Sequence, residues 1–134
     1  MVDAVHNALS GLMASAKRAG VAANNIANTQ TTGPVQPARG ESGPYIPQDV
    51  VSVSDPHGGV RADVINRTPG TEVIYNPNDP HADENGQVAA PNIDLTEEIV
   101  QFKMAEIAYK ASAKILKAAS DMQDEAIRIL DDRV

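Results

Sequence analysis

Every proline in the chain, nine in all, falls between Thr29 and Pro91, together with seven of the nine glycines. Proline lacks a backbone N–H and its ring clashes with the preceding helical turn, so no long helix runs through that stretch. The flanks hold no proline and only Gly11 and Gly20. The 134 residues therefore divide into an N-terminal helix over 1–28, a linker and small β-rich middle segment over 29–91, and a long C-terminal helix over 92–134. The predicted class is mainly α with a small β segment. The terminal helices are expected to pair as a coiled coil, around a middle domain that contains a β-hairpin.

In the first arm Val2, Val5, Leu9, Leu12, Ala16, Ala19, Ala23 and Ile26 recur at spacings that alternate three and four, which predicts one apolar seam on a helix. The run Asn24-Asn25-Ile26-Ala27-Asn28-Thr29 predicts where that helix stops, because Asn and Thr side chains compete for backbone hydrogen bonds. The second arm opens at Asp94, a good N-cap, with Glu97 three residues on as in a capping box. It then runs to about Leu130 without a breaker, on the order of 55 Å at about 1.5 Å per residue. Lys103, Glu106, Lys110, Lys114, Lys117, Asp121, Asp124 and Arg128 fall within a wedge of about 80° on that helix, which leaves a mostly apolar arc of roughly 240°. A two-stranded coiled coil covers only a narrow seam. The remainder of the arc predicts other chains as partners, the alternative being a small sheet of the same chain laid across it.

The residues expected to carry assembly are Val5, Leu9, Leu12, Ala16, Ala19, Ala23 and Ile26 on the first arm. On the second they are Phe102, Tyr109, Ala111, Ile115, Leu116, Met122, Ile127 and Leu130. In the middle, the β-rich runs 49–54 and 60–65 flank Asp55-Pro56-His57-Gly58-Gly59 and predict a hairpin. A third short run, 72–75, follows the turn at Pro69-Gly70, and 76–86 reads as turns.

A net charge of -7 and the lack of a basic stripe argue against nucleic acid as a partner. Residues 29–91 hold eight acids against three Arg, a soluble and acidic surface. With no cysteine, disulfides and thiolate metal sites are excluded. No basic-then-apolar leader opens the chain and no apolar run approaches the roughly 20 residues of a membrane span, so export, where it occurs, is expected to leave the N-terminus intact. His6, His57 and His81 show no metal-ligand spacing. His81-Ala82-Asp83-Glu84-Asn85-Gly86 only faintly matches the start of a calcium loop, since its twelfth position is Asn92 where a bidentate Glu belongs. Neither a phosphate-binding glycine loop nor a nucleophile elbow occurs. The expectation is no enzyme, no cofactor, no metal and no small-molecule substrate.

Ala22-Ala23-Asn24-Asn25-Ile26-Ala27-Asn28-Thr29 followed by Thr31-Thr32-Gly33 resembles the N-terminal signature of bacterial flagellar axial proteins. Gly58-Gly59-Val60-Arg61, the stretch from Tyr75-Asn76-Pro77-Asn78-Asp79-Pro80 through Gln87-Val88 to Pro91-Asn92-Ile93, and Ala108-Tyr109-Lys110-Ala111 with Ile115-Leu116 are similar to the C-type proximal rod proteins of the basal body. Pro34 and Gln87 stand where that family usually has aromatics. The resemblance implies a structural subunit whose terminal helices line a hollow rod that transmits torque and surrounds the export channel. It implies the periplasmic span of the basal body as location, type III export, and neighbouring rod subunits, copies of itself and the basal-body base as partners. The alternatives are another axial protein, such as a distal rod subunit, or a stand-alone helical docking module.

Overall fold

The computed structural model describes residues 2–56 and 58–131. His57, expected in a surface turn, lies outside the described residues, as do the side chains of Val2, Leu130 and Asp131. The element order is α1 (Val2–Ala27), β1 (Gln48–Ser54), β2 (Val60–Asn66), β3 (Thr71–Tyr75), β4 (Gln87–Pro91) and α2 (Leu95–Asp131). The fold is thus mostly α with a small β part.

Helix α1 stops where the asparagines begin. Asn28 sends both its backbone N–H and its Nδ2 to the Asn24 carbonyl, at 3.1 and 2.8 Å, and Thr31 Oγ1 caps the Asn28 carbonyl at 2.9 Å. Side chains thereby satisfy carbonyls that the helix no longer can. At the start of α2, Asp94 Oδ1 accepts from the Thr96 and Glu97 N–H groups at 2.8 and 3.2 Å, the bonds of an N-cap.

The two helices lie side by side and antiparallel. A methyl group on Gly11 would come 3.1 Å from Ser112 Oγ, whereas Val21 and Ala22 line a shared cleft with Glu98 and Gln101. The buried and half-buried positions of α1 include 5, 8, 12, 15, 19, 22 and 26, with 10, 11, 14, 21 and 25 beside them, and those of α2 include 98, 102, 105, 112, 116, 119 and 126. On α1 this seam shares Val5, Leu12, Ala19 and Ile26 with the expected one, but it replaces Leu9, Ala16 and Ala23 by Ala8, Ser15 and Ala22. The physical reason is size. Gly11 approaches Ser112 closely, and small residues are buried along both helices: Ala8, Ser15 and Ala22 on α1, Ala105 and Ala119 on α2.

Strands β1 and β2 pair antiparallel from Gln48↔Asn66 to Ser54↔Val60, and β3 pairs with β4 from Thr71↔Pro91 to Tyr75↔Gln87. The first hairpin is the expected one. The second pairs the expected short run with β4, which no sequence pattern predicts. The first hairpin packs on α1, and no strand packs on α2. Its tip sits against the start of α1. Val60 N–H donates to Ser10 Oγ at 3.1 Å and His6 Nε2 lies 3.1 Å from the Gly58 carbonyl. Gly58 and Gly59 have φ of +94° and +87°, and a Cβ on Gly59 would fall 2.2 Å from Ser10 Oγ. Both conformation and space therefore demand glycine there.

The second hairpin is tied to the linker. Gly33 forms a two-bond bridge with Ala89, at 3.0 and 2.9 Å, and Thr32 Oγ1 donates to Asp79 Oδ2 at 2.8 Å. That bond and the His81 backbone N–H, the larger influence, hold the Asp79 carboxyl below its ordinary range. Replacing Gly59 by Ala should destabilise the protein by about 1–3 kcal/mol, the scale of enforced backbone strain. A urea midpoint matching wild type would contradict this docking of the hairpin on α1.

Candidate assembly interface

Besides Pro47 and Pro91, the buried apolar side chains among those described are eight alanines and two valines. Each alanine buries one methyl group, so this core contributes little per residue. The large apolar side chains point the other way. On α2, Met104, Ile107, Ile115, Met122 and Ile127 are 61, 67, 55, 57 and 51 % exposed, with Leu95, Ile99, Val100 and Ile129 also open. Since no strand packs along α2 among the described residues, the alternative of a sheet laid across its apolar arc is not what the structure shows. The arc stands uncovered in the single chain, far beyond the scattered apolar exposure of an ordinary monomer.

The residues expected at the interface fall into two sets. Val5, Leu12, Ala19, Ile26, Phe102 and Leu116 are half-buried. Leu9, Ala16, Ala23, Tyr109, Ala111, Ile115, Met122 and Ile127 are exposed, and Leu130 lies outside the described side chains.

On the opposite wedge Glu106 accepts from Lys103 and Lys110. These bonds, Lys110 first, pull its carboxyl down to about 2. Because the folded value is lowered, the contribution is present at neutral pH and fades only as the pH falls through that value. The Glu106 titration followed by NMR should rise toward the ordinary carboxylate range in Lys110→Ala.

A polar cluster missed in the sequence joins the helical pair to both hairpins. Asn25 has no exposed surface, yet all its polar atoms are used. Its Nδ2 donates to the Gln48 carbonyl at 2.8 Å, and its Oδ1 accepts from Gln48 N–H at 3.1 Å and Tyr45 Oη at 2.9 Å. Burial, with Glu98 adding to it, pushes the Tyr45 phenol up, which keeps it a neutral donor. Just beyond β2, Arg67 Nη2 reaches Asp49 Oδ1 and Glu98 Oε1, both at 2.7 Å, while Nη1 donates to the Asn92 carbonyl at 3.1 Å. Glu98 is 3 % exposed, so this guanidinium is what makes a buried carboxylate tolerable on α2. The Asp49 bond leads in holding the Arg67 guanidinium above its ordinary value. Among the described residues no buried side-chain polar atom lacks a partner.

Two cavities lie beside these elements. One of about 330 Å³ runs between α1 and the first hairpin, and one of about 210 Å³ adjoins the Arg67 cluster. Among the described residues no His, Asp and Glu gather as a metal-binding group. His81 faces Asp79, its Nδ1 3.2 Å from Oδ1. No helix described is long and apolar enough to cross a membrane.

Terminal helices joined at close quarters, a clamped pair of hairpins and an open apolar arc fit a structural subunit. Family comparisons agree at both arms. Residues 6–34 match the family "Flagella basal body rod protein", and residues 84–129 match "Flagellar basal body rod FlgEFG protein C-terminal". The chain is 36 % identical over 120 residues to the flagellar basal-body rod protein FlgC of Salmonella typhimurium, covering 84 % of this chain and 85 % of that protein. The FlgC of Escherichia coli O6:H1 is 34 % identical with the same coverage, and that of Aquifex aeolicus is 30 % identical over 91 % of this chain and 93 % of its own. The chain belongs to the flagellar basal-body rod protein family, as a proximal rod protein of the FlgC type, and is a structural subunit of the rod.

The signature Asn24–Gly33 thus has a physical role. It ends α1, and through Asn25, Thr31, Thr32 and Gly33 it bonds to the linker and both hairpins. Replacing Arg67 by Ala should cost about 3 kcal/mol by stranding Glu98. Glu98→Gln, which can still accept from the guanidinium, should be milder. Equal urea midpoints for Arg67→Ala and wild type would refute the clamp.

Proposed function

We propose that this rod subunit assembles by packing the open arc of α2 against neighbouring rod subunits and copies of itself, with α1 and α2 supercoiled as a coiled coil. The uncovered arc is the single observation that carries this reading. The tube so formed is hollow, transmits torque and surrounds the export channel. The subunit reaches the periplasmic span of the basal body through the type III apparatus with its N-terminus uncleaved, and the rod grows from the basal-body base. Its work is mechanical, without catalysis, cofactor, metal or small-molecule substrate, and it binds neither nucleic acid nor membrane. The division into N-terminal helix (1–28), middle segment (29–91) and C-terminal helix (92–134) then assigns assembly to the arms and an outward position to the middle.

The exposures separate an assembly defect from a folding defect. Leu116 is half-buried, so Leu116→Asp should damage both the monomer and the rod. Ala111 is exposed. Ala111→Glu should therefore leave the stability of the purified protein within about 0.5 kcal/mol of wild type, yet abolish swimming by placing an unpaired charge in a packed interface. Lys114→Ala, on the charged wedge, should swim nearly normally. Wild-type motility in a strain whose only copy carries Ala111→Glu would overturn the assignment of the arc.

A further inference from the structure

A sheet edge carries backbone donors and acceptors that something must satisfy, and the two edges of the second hairpin differ in this. On the outer side of β4 every group is used. Ala89 exchanges both bonds with Gly33. Gln87 N–H donates to Asp83 Oδ1 at 2.8 Å, and its carbonyl accepts from Asp83 N–H at 3.0 Å. The Pro91 carbonyl accepts from Ile93 N–H at 2.9 Å, and proline has no N–H to satisfy.

The same bonds fix which way β3 faces. Ala89 turns its N–H and carbonyl toward Gly33, so Val88 and Ala90 turn theirs toward β3, where their partners are Ile74 and Glu72. The Asn76 N–H bond to the Gly86 carbonyl and the Asn92 N–H bond to the Gly70 carbonyl continue that alternation. Thr71, Val73 and Tyr75 therefore point their N–H and carbonyl groups away from β4. Among the described residues none of these groups has a partner, and no element but β4 packs on β3. The first hairpin is different, because α1 lies against both of its strands. Lys, Pro or a bulge ordinarily blunts a free edge. Thr71-Glu72-Val73-Ile74-Tyr75 has only Glu72, and all five of its residues are exposed.

We infer that β3 pairs antiparallel with β3 of a second copy, Val73 opposite Val73, while the subunit is free. The strand itself dictates this register. Thr71 meets Tyr75 and Tyr75 meets Thr71, so the outward groups of the two chains join in three bonded pairs. Glu72 falls opposite Ile74, and no like charges are directly opposed. A slip of one residue sets outward groups against inward ones. A slip of two loses a bonded pair, and in one direction it places Glu72 opposite Glu72. The paired hairpins become a four-stranded sheet, beyond the marginal stability of a two-stranded ribbon. The contact is two-fold, so it closes and does not propagate. In the proposed tube all copies share one axial and one radial direction, and a two-fold contact between neighbours reverses at least one of them. The pairing thus belongs to the subunit before assembly, and incorporation into the rod dissolves it.

The chain has no cysteine, which makes the test direct. Bonded antiparallel partners lie about 5.5 Å apart at Cα, a spacing that a disulfide spans. Under mild oxidation the purified Val73→Cys chain should form a self-disulfide several times more abundant than that of Ile65→Cys. Ile65, on the first hairpin, is a strand position of similar exposure, 49 % against 54 % for Val73. Glu72→Cys mixed with Ile74→Cys should give the mixed disulfide well beyond the statistical proportion. Val73→Pro removes the outward N–H at the centre of the edge and leaves the bonds of Glu72 and Ile74 to β4 in place. Added to both chains of that mixture, it should restore the statistical proportion with an unchanged urea midpoint. As the only copy in cells, Val73→Pro should swim like wild type. A Val73→Cys yield no higher than that of Ile65→Cys overturns the pairing, and so does a statistical mixture of the Glu72→Cys and Ile74→Cys products. A Val73→Pro chain as stable as wild type that fails to swim overturns the assignment to the free subunit. Absence of the wild-type chain from isolated basal bodies would instead refute the rod reading and leave the strand pairing standing.

Discussion

Two helices approach closely where small side chains face each other, and α1 and α2 do so at Gly11 and Ser112, with Ala8, Ser15, Ala22, Ala105 and Ala119 buried along them. The rest of the molecule follows from that choice. With methyl and hydroxyl groups facing inward, Met104, Ile107, Ile115 and Ile127 have only the outside to occupy. Burying a large aliphatic side chain stabilises by about 1.5–3 kcal/mol, against well under that for an alanine methyl. Most of the apolar free energy encoded in α2 is therefore unrealised in the single chain. In the proposed assembly it would be realised as neighbours cover the arc, so that folding and assembly would draw on separate sets of residues.

That separation works only if the middle segment holds a fixed angle to the helices, and the polar clamp supplies this. Asn25 reads the backbone of Gln48 with both ends of its amide, and Arg67 ties Asp49, the Asn92 carbonyl and Glu98 together. An apolar contact could slide by a methyl group. A guanidinium with three bonded partners, one of them a buried carboxylate, has one good geometry and a large penalty for leaving it. The Gly33–Ala89 bridge does the same for the second hairpin.

The parts of this architecture set by local chemistry were legible in the sequence. Proline placement bounded both helices, the asparagine run ended α1, Asp94 capped α2, and the β-rich runs around Gly58-Gly59 formed their hairpin. The breadth of the apolar arc also followed from periodicity. The misses share one cause, which is dependence on distant partners. A count of hydrophobicity prefers Leu9 to Ser15, and only the small residues of α2 opposite reverse that preference. Strand β4, Gln87-Val88-Ala89-Ala90-Pro91, has one β-branched residue and ends in proline. Its pairing comes from β3 and Gly33. Asn25, Arg67 and Glu98 read separately as a helix terminator, a loop cation and a first-turn acid, because nothing within a sequence window brings them together.

The proposed assembly meets a limit in the character of this arc. It is broad and nearly uniform, built from exposed aliphatic side chains along much of α2, so several neighbours would fit it without any one contact fixing their height. Register would then have to come from polar groups, because a hydrogen bond or ion pair is satisfied at one offset whereas an apolar contact slides.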